Sequence, residues 1–193
     1  MKIIFLGAQG SGKSTQAKML SEQLSLPYIE MGQLFRDKAK ETDQDAADIR
    51  QALEQGNLVP DSIAIKTLQE RLSQADCKNG FVLDGYPRNY AQLEGLPQGI
   101  DKVFYIDVPD DVSVKRLIDR GRHDDSLDVI TRRLEQFHKE TEPLLAYFRQ
   151  EKIIEEINGQ RSIEQTYQDI KSRFENKQSF STNKNLSFAQ NLD

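Results

Sequence analysis

Short apolar runs alternate with longer amphipathic segments along most of the chain. The strands that this pattern predicts lie at residues 2–6, 28–29, 81–83, 103–106 and 153–157, and several of them are nearly all apolar. The strand at 28–29 is brief, and the first segment between strands places Ala17, Leu20 and Leu24 at helical spacing. Nearly continuous apolar strands that alternate with helices are typical of a parallel sheet buried on both faces. The pattern therefore predicts an α/β fold of three layers around a five-stranded parallel sheet.

The amphipathic segments predict helices at residues 13–24, 33–40, 46–55, 110–120, 127–149 and 162–174, with one more starting at Asp61. Two of these helices begin at capping signals. Asp61 follows Pro60 as an N-cap candidate, and Ser162 with Gln165 has the spacing of a capping box. Residues 176–193 are polar, rich in Asn and Ser, and lack periodicity. We therefore expect one folded domain over residues 1–175, followed by a flexible tail.

The composition limits the classes of partner. With 193 residues, of which 37% are hydrophobic, the chain suits one domain with a sizeable core. The formal net charge of -5 disfavours nucleic acids and anionic membranes as partners, since both attract basic surfaces. The sequence shows no signal peptide and no membrane-spanning run, and Cys77 is its single cysteine. These features predict a cytoplasmic protein, with a monomer as the default expectation.

Residues 7–14 read Gly-Ala-Gln-Gly-Ser-Gly-Lys-Ser, which fits the phosphate-loop pattern G-x-x-x-x-G-K-[ST]. The segment follows a predicted strand and opens a predicted helix, as this motif requires. Backbone N–H groups of such a loop surround phosphate oxygens, Lys13 reaches the β- and γ-phosphates, and Ser14 can ligate Mg²⁺. The spacing of the glycines excludes a dinucleotide-binding G-x-G-x-x-G pattern, which leaves a ligand-free glycine turn as the alternative. We predict that ATP binds to Gly10, Ser11, Gly12, Lys13, Ser14 and Thr15.

A carboxylate ends the third predicted strand, where Phe81, Val82 and Leu83 lead into Asp84. In phosphate-loop proteins an aspartate at the end of a buried strand holds Mg²⁺, usually through the water shell of the ion. The alternative is an aspartate that only begins an Asp-Gly turn. Together with Ser14, Asp84 is the predicted magnesium site.

The residues that follow resemble the motifs of adenylate kinases. Asp84-Gly-Tyr-Pro-Arg88 resembles the D-G-[FY]-P-R signature of that family. Other segments match family motifs in the expected order: residues 31–36 resemble T-G-D-L-L-R, residues 56–60 match G-x-L-V-P, residues 116–125 resemble the lid region, and residues 141–144 match T-[EK]-P-[VIL]. The resemblance extends from residue 1 to about residue 175, and it implies a phosphate-loop fold with a small helical insert.

The resemblance implies a phosphotransferase that reversibly converts ATP and AMP into two ADP with Mg²⁺. It places in the AMP site Met31, Arg36, Asn57, Leu58, Val59, Gly85, Tyr86, Pro87, Arg88, Gln92, Arg122 and Arg133. To the ATP site it adds Arg116, Arg120 and Arg161, and the catalytic residues it implies are Lys13, Arg88, Arg120, Arg122 and Arg133. Arginines suit this chemistry because guanidinium groups bind phosphates bidentately. No general base is expected, since the attacking phosphate oxygen is already ionised.

A short lid is expected at residues 121–126, between Arg120 and the helix predicted from Leu127. This segment has no room for the inserted subdomain of long-form adenylate kinases and no cysteine set for a structural zinc, so no zinc is expected. The lid can still close over phosphates and exclude water. Residues 31–60 are the expected monophosphate-binding subdomain.

Three residues depart from the family pattern beside the expected base pocket. Glu30, Met31 and Gln33 stand where Ser, Thr and Asp are common, which opens the choice of base. A UMP/CMP kinase is the alternative within the enzyme class, because Asn89 follows the signature arginine as it often does in those enzymes, whereas Gln92 favours adenine. A non-catalytic nucleotide sensor is the alternative from another class, although none of the arginines expected in catalysis is missing.

Overall fold

Five parallel strands form the sheet at the centre of the protein, in a computed structural model that describes residues 1–121 and 126–174. In chain order the strands are β1 (Lys2–Leu6), β2 (Tyr28–Glu30), β3 (Phe81–Asp84), β4 (Lys102–Asp107) and β5 (Ile154–Asn158). Their order in the sheet is β2-β3-β1-β4-β5, and every neighbouring pair is parallel. In the two central ladders, Ile4 lies between Leu83 and Val103. The predicted five-stranded parallel sheet is confirmed.

Helices connect the strands. They are α1 (Lys13–Leu24), α2 (Met31–Lys38), α3 (Gln44–Gln55), α4 (Asp61–Leu72), α5 (Asp110–Arg120), α6 (Leu127–Gln136), α7 (Leu144–Gln150) and α8, which is described over 163–174. Short 3₁₀ turns occupy Ala75–Asn79 and Ala91–Gly95, and a π-helical segment occupies Phe137–Thr141. Within the described residues no helix has the length and apolar character needed to cross a bilayer.

Alternate residues of the strands point into two separate cores. Ile3 and Phe5 of β1 pack with α1 and α8, whereas Ile4 and Leu6 pack with α4, α5, α6 and α7. All four side chains are at most 1% exposed. Because both faces of the sheet are covered, its strands carry apolar residues at consecutive positions. The three-layer α/β prediction is confirmed.

The segment with α2 and α3 contributes a small cluster of its own. Ile49 and Ala52 of α3 pack with Val59 and Ile63, and Phe35 of α2 lies against them. Asp43 begins α3 as its N-cap, since its Oδ1 accepts a hydrogen bond of 2.8 Å from the amide of Ala46. This cluster lies beside the sheet rather than within its two main cores, where the sequence predicts the monophosphate-binding subdomain.

The two predicted capping signals have different outcomes. Ser162 and Gln165 form the expected capping box, because the amide of each residue donates to the side-chain oxygen of the other at 3.3 and 3.2 Å. The prediction for Asp61 is wrong: Pro60 holds the N-cap position, and Asp61 is the first residue of α4. Its Oδ1 instead accepts hydrogen bonds from Asn89 and Gln92.

The single helix predicted at 127–149 is interrupted. The α-helical geometry ends at Gln136, continues as a π-helical segment to Thr141, and resumes at Leu144 after Pro143. Proline lacks the N–H group that an uninterrupted helix would use at this position. The predicted tail at 176–193, together with Arg122 and residues 123–125 of the predicted lid, lies outside the described residues.

Candidate active site

The phosphate loop connects β1 to α1 and packs closely against the start of α5. Gly10 and Gly12 have positive φ angles of 83° and 92°, which side-chain-bearing residues rarely adopt. A Cβ atom at Gly10 would lie 2.5 Å from the backbone oxygen of Ser113. Glycine is therefore required at this position by both conformation and space. The loop ends at Gly12, the N-cap of α1, where free backbone N–H groups favour a bound anion.

A cavity of about 490 Å³ opens at the carboxyl ends of the strands, beside this loop. Most of the residues predicted from the sequence line it: Gly10, Ser11, Gly12, Lys13, Ser14, Thr15, Arg36, Asn57, Leu58, Val59, Asp84, Gly85, Tyr86, Arg88, Gln92, Arg116, Arg120, Arg133 and Arg161. Met31 and Pro87 are buried and are not among the lining residues. Ligands bind at this edge in many open α/β sheets.

Lys13 is a buried cation that lines the cavity at the phosphate loop. Its Nζ donates to the backbone oxygen of Ala8 at 3.2 Å. Burial lowers the pKa of Lys13 to about 8; the charge of Asp84 opposes this shift, whereas Arg88 and Arg120 add to it. An anion that entered the cavity would stabilise the charged form of Lys13.

Asp84 lies across the cavity with one oxygen engaged. The side chain is 2% exposed, and Oδ2 accepts a hydrogen bond of 2.9 Å from the Tyr28 hydroxyl. Oδ1 is buried and has no hydrogen-bond partner in the described part of the chain. Burial, followed by the charge of Asp84, raises the pKa of Tyr28. Sequence reasoning missed Tyr28, because only the pairing of β2 with β3 brings it to Asp84.

Arg88 is held at the cavity by its own loop. Its Nε donates to the backbone oxygen of Gly85 at 3.0 Å, and its backbone oxygen accepts a hydrogen bond of 2.7 Å from the Thr141 hydroxyl. Burial lowers the pKa of Arg88, the charge of Asp84 opposes this, and the charge of Arg133 acts with burial. The positive charges of Arg88 and Arg133 repel each other, and an anion bound between them would relieve this repulsion.

Gln92 supports this loop from behind. Its Oε1 accepts from the Arg88 amide at 2.8 Å, and its Nε2 donates to Asp61 Oδ1 at 2.8 Å. Asn89 Nδ2 donates to the same oxygen of Asp61 at 2.8 Å. Asp61 therefore joins the start of α4 to the loop that carries Arg88. The predicted contact between Gln92 and adenine stays a prediction, and this supporting role was missed.

The far end of the cavity has an apolar wall and an ion pair. Leu58 and Val59, which the sequence singled out, line it together with Phe35 and Leu53, which it did not. Arg36 lies nearby, with one Nη atom 2.8 Å from Glu30 Oε1. Since an aromatic or aliphatic wall beside a guanidinium suits a base joined to a phosphate, this end has the chemistry of a nucleotide pocket.

Arg116 and Arg161 make protein contacts at the other end. The Arg116 guanidinium donates to the backbone oxygens of Ser11 at 3.2 Å and Gly159 at 2.9 Å, so it joins the phosphate loop to the turn after β5. Arg161 is 3.7 Å from Asp169 in an ion pair whose arginine side chain is 52% exposed. Their predicted contacts with ATP stay predictions.

Comparison with known proteins agrees with the resemblance to adenylate kinases found in the sequence motifs. The family model described as adenylate kinase matches residues 5–153. The protein named "Adenylate kinase 1" of Nostoc sp. is 39% identical over 178 residues, covering 89% of this chain and 97% of that relative. Proteins named "Adenylate kinase" of Leptospira biflexa and Prochlorococcus marinus are 36% and 35% identical over 175 and 178 residues. These alignments cover 85% and 89% of this chain and 94% and 97% of the relatives.

Proposed function

Because the chain belongs to the adenylate kinase family and is a nucleoside-monophosphate kinase, we propose that its cavity aligns ATP and AMP for direct phosphoryl transfer. The observation that carries this proposal is the convergence of Lys13, Arg88, Arg120 and Arg133 on one cavity between the phosphate loop and an apolar wall. The same cavity is lined by the phosphate loop and by the apolar side chains of Phe35, Leu53, Leu58 and Val59. Phosphates from two nucleotides would meet beside the four cationic side chains.

ATP is proposed to bind on the side of the phosphate loop. Backbone N–H groups at the start of α1 and the Lys13 ammonium would neutralise the β- and γ-phosphates. Arg120 would add charge from the end of α5, and Arg122 is proposed for the same region on the basis of the sequence alone. The predicted lid at 121–126 would then exclude water and protect ATP from hydrolysis.

AMP is proposed to bind at the apolar end. Phe35, Leu58 and Val59 would pack against the base, while Arg36, Arg88 and Arg133 would bind the phosphate. Asn57, Gly85 and Tyr86 complete the proposed lining next to the buried Pro87, and Gln92 would read the base edge while it holds Arg88. Met31 lies behind this wall rather than on it, so its proposed effect on base choice would be indirect.

The transfer itself requires little more than alignment and charge neutralisation. The attacking oxygen belongs to the AMP phosphate, which is ionised at neutral pH, so no side chain has to remove a proton. Charge spreads over the oxygens of the transferred group in the transition state. Lys13, Arg88 and Arg133 would stabilise that charge without moving, because their positions are fixed by the surrounding protein.

The residues beside the phosphate loop fit Mg²⁺. Within residues 1–121 and 126–174, no three His, Cys, Asp or Glu side chains form a metal-binding group, so the ion is not expected to have an all-protein cage. The buried Oδ1 of Asp84 and the Ser14 hydroxyl are the hard oxygen ligands or water acceptors that Mg²⁺ takes when it binds together with phosphates. When bound, Mg²⁺ would neutralise charge on the β- and γ-phosphates.

We also propose that the enzyme works as a cytoplasmic monomer. The residues proposed for both substrates come from one chain, so a second copy is not required to complete the site. The acidic net charge of -5 disfavours membranes and nucleic acids as partners.

Initial rates of diphosphate formation from Mg-ATP test the proposal, with AMP, UMP, CMP and GMP assayed in parallel. We expect a strong preference for AMP. A preference for a pyrimidine monophosphate would overturn the proposed base pocket, and ATP binding without transfer to any of the four would overturn the proposed alignment.

A further inference from the structure

Tyr28, the first residue of β2, places its phenol against Asp84, the carboxylate at the end of β3 that is proposed to face Mg²⁺. In the β2–β3 ladder, Tyr28 is paired with Val82, and Glu30 is paired with Asp84. The Tyr28 side chain reaches toward the strand ends, and its hydroxyl donates to Asp84 Oδ2 at 2.9 Å. The same hydroxyl is 3.5 Å from Glu30 Oε2, so its shorter and stronger hydrogen bond is the one to Asp84.

This contact leaves the two oxygens of Asp84 in different environments. Oδ2 is engaged by the phenol, whereas Oδ1 is buried and unpartnered in the described part of the chain. A buried carboxylate oxygen without a donor is costly, and a ligand that supplies one removes the cost. Because Asp84 lines the cavity, a water molecule on a cation bound to ATP phosphates is a suitable donor.

The Tyr28 ring is partly buried and packs against the apolar cluster that lies between the sheet and helices α1 and α8. This packing limits the movement of the phenol, so its hydrogen bond to Asp84 is made from a supported position.

We propose that Tyr28 is a positioning residue for Mg-ATP, which holds the Asp84 carboxylate so that Oδ1 faces the hydrated cation. This inference rests on the proposed role of Asp84. Without the phenol, the carboxylate is free to rotate about its last torsion and its negative charge is no longer fixed toward the phosphates. Residues that orient metal-facing carboxylates commonly change metal affinity when they are replaced.

The test compares Tyr28→Phe with Tyr105→Phe. Tyr105 is a matched control, because its hydroxyl also donates to an aspartate at a strand end, Asp107 Oδ1 at 3.1 Å. Neither Tyr28 nor Tyr105 lines the cavity.

Mn²⁺ is the probe, and its binding to each enzyme with a β,γ-imido analogue of ATP is measured by electron paramagnetic resonance. We expect Tyr28→Phe to weaken Mn²⁺ binding about tenfold and to raise the Mg²⁺ concentration needed for half-maximal rate. The KM for AMP should stay unchanged, and Tyr105→Phe should behave as the unmodified enzyme.

Thermal unfolding of each variant and the same assays on Asp84→Asn separate the outcomes. If Tyr28→Phe melts earlier but binds Mn²⁺ like Tyr105→Phe, the hydrogen bond only stabilises the fold and the inference is overturned. If Asp84→Asn weakens Mn²⁺ binding and Tyr28→Phe does not, the inference fails while the proposed metal site stands. If neither substitution changes Mn²⁺ binding, the proposed role of Asp84 itself fails, and the inference with it.

Discussion

Thr141 donates its hydroxyl to the backbone oxygen of Arg88 at 2.7 Å, across 53 positions of the chain. Thr141 is 1% exposed and ends the π-helical segment, whereas Arg88 lies in the loop after β3. The hydroxyl therefore reaches the loop from the last residue of a π-helical segment. π-Helical turns are rare and frequently occur at functional sites, and here the turn helps to set the position of an arginine in the cavity.

Thr141→Val should impair the use of AMP more than the use of ATP. The substitution keeps the shape of the side chain but leaves the partly buried Arg88 oxygen without its donor, which costs about 1 kcal/mol or more. We expect lower thermal stability and a higher KM for AMP, measured by initial rates with each substrate varied. Thr141→Ser keeps the hydroxyl and should stay close to the unmodified enzyme. Equal kinetics for the Val and Ser variants would contradict a positioning role for this contact.

Lys13→Ala should lower kcat by about 10²–10³-fold or more while the fold is retained. Lys13 is a buried cation that contacts the phosphate loop, whereas Arg116, which also contacts this loop, is engaged with the backbone oxygens of Ser11 and Gly159. Steady-state rates and circular dichroism measure the two parts of this prediction. Lys18→Ala is the control, because Lys18 is an exposed lysine of the same helix. A Lys13→Ala enzyme with near-normal kcat would contradict the proposed mechanism.

Arg88→Ala should raise the KM for AMP and lower kcat, with a small effect on the KM for ATP. Arg88 lines the cavity and is proposed to bind the AMP phosphate, so loss of its guanidinium would remove positive charge beside both the bound phosphate and the transition state. Arg149→Ala provides a comparison, since Arg149 forms an exposed ion pair with Glu156 at 2.8 Å. Comparable increases in the KM for both nucleotides would indicate a general collapse of the site instead.

His138 should make stability depend on pH. Nδ1 is 2.7 Å from Glu142 Oε2, and Nε2 is 3.0 Å from Asp110 Oδ2, so both carboxylates favour the protonated ring. The hydrogen bond with Glu142 is the main reason that the pKa of His138 is raised. The stabilisation is therefore present in full below the unfolded pKa of about 6.5, and it is lost as the pH rises through the higher folded pKa.

Denaturant unfolding of the unmodified protein and of His138→Gln at several pH values measures this effect. The difference between the two free energies of unfolding should shrink as the pH is raised above neutrality. Since the ring is partly exposed, the full difference should not exceed about 1 kcal/mol. A difference that grows with pH would contradict the proposed ion pairs.

The sequence predicted the parts of the site that are local in the chain. The phosphate loop is encoded in eight consecutive residues, so its three glycines and Lys13 could be identified without the fold. Arg88 was found for a similar reason, because it belongs to a short motif. The sheet could be predicted because burial on both faces leaves long apolar runs, a signal that does not depend on which strands are neighbours.

Other parts of the site depend on contacts between distant segments. Tyr28 meets Asp84 only through the β2–β3 register, and Thr141 meets Arg88 only through a π-helical turn. The error at Asp61 has the same origin, because its carboxylate is engaged by Gln92 and Asn89 from another loop. A local capping signal could not reveal that competing partner.

The position of β1 in the sheet has a consequence for synthesis of the protein. β1 precedes the other four strands of the sheet in the chain, yet Lys2 is paired with Phe81 and Ile3 with Lys102. The phosphate loop follows β1 directly and packs against Ser113 of α5. A nascent chain that ends before β4 therefore lacks at least one neighbour of β1, and one that ends before Ser113 lacks the support of the phosphate loop. The phosphate-loop motif is synthesised about a hundred residues before the segments that hold it in place, so recognition of ATP must await those later segments.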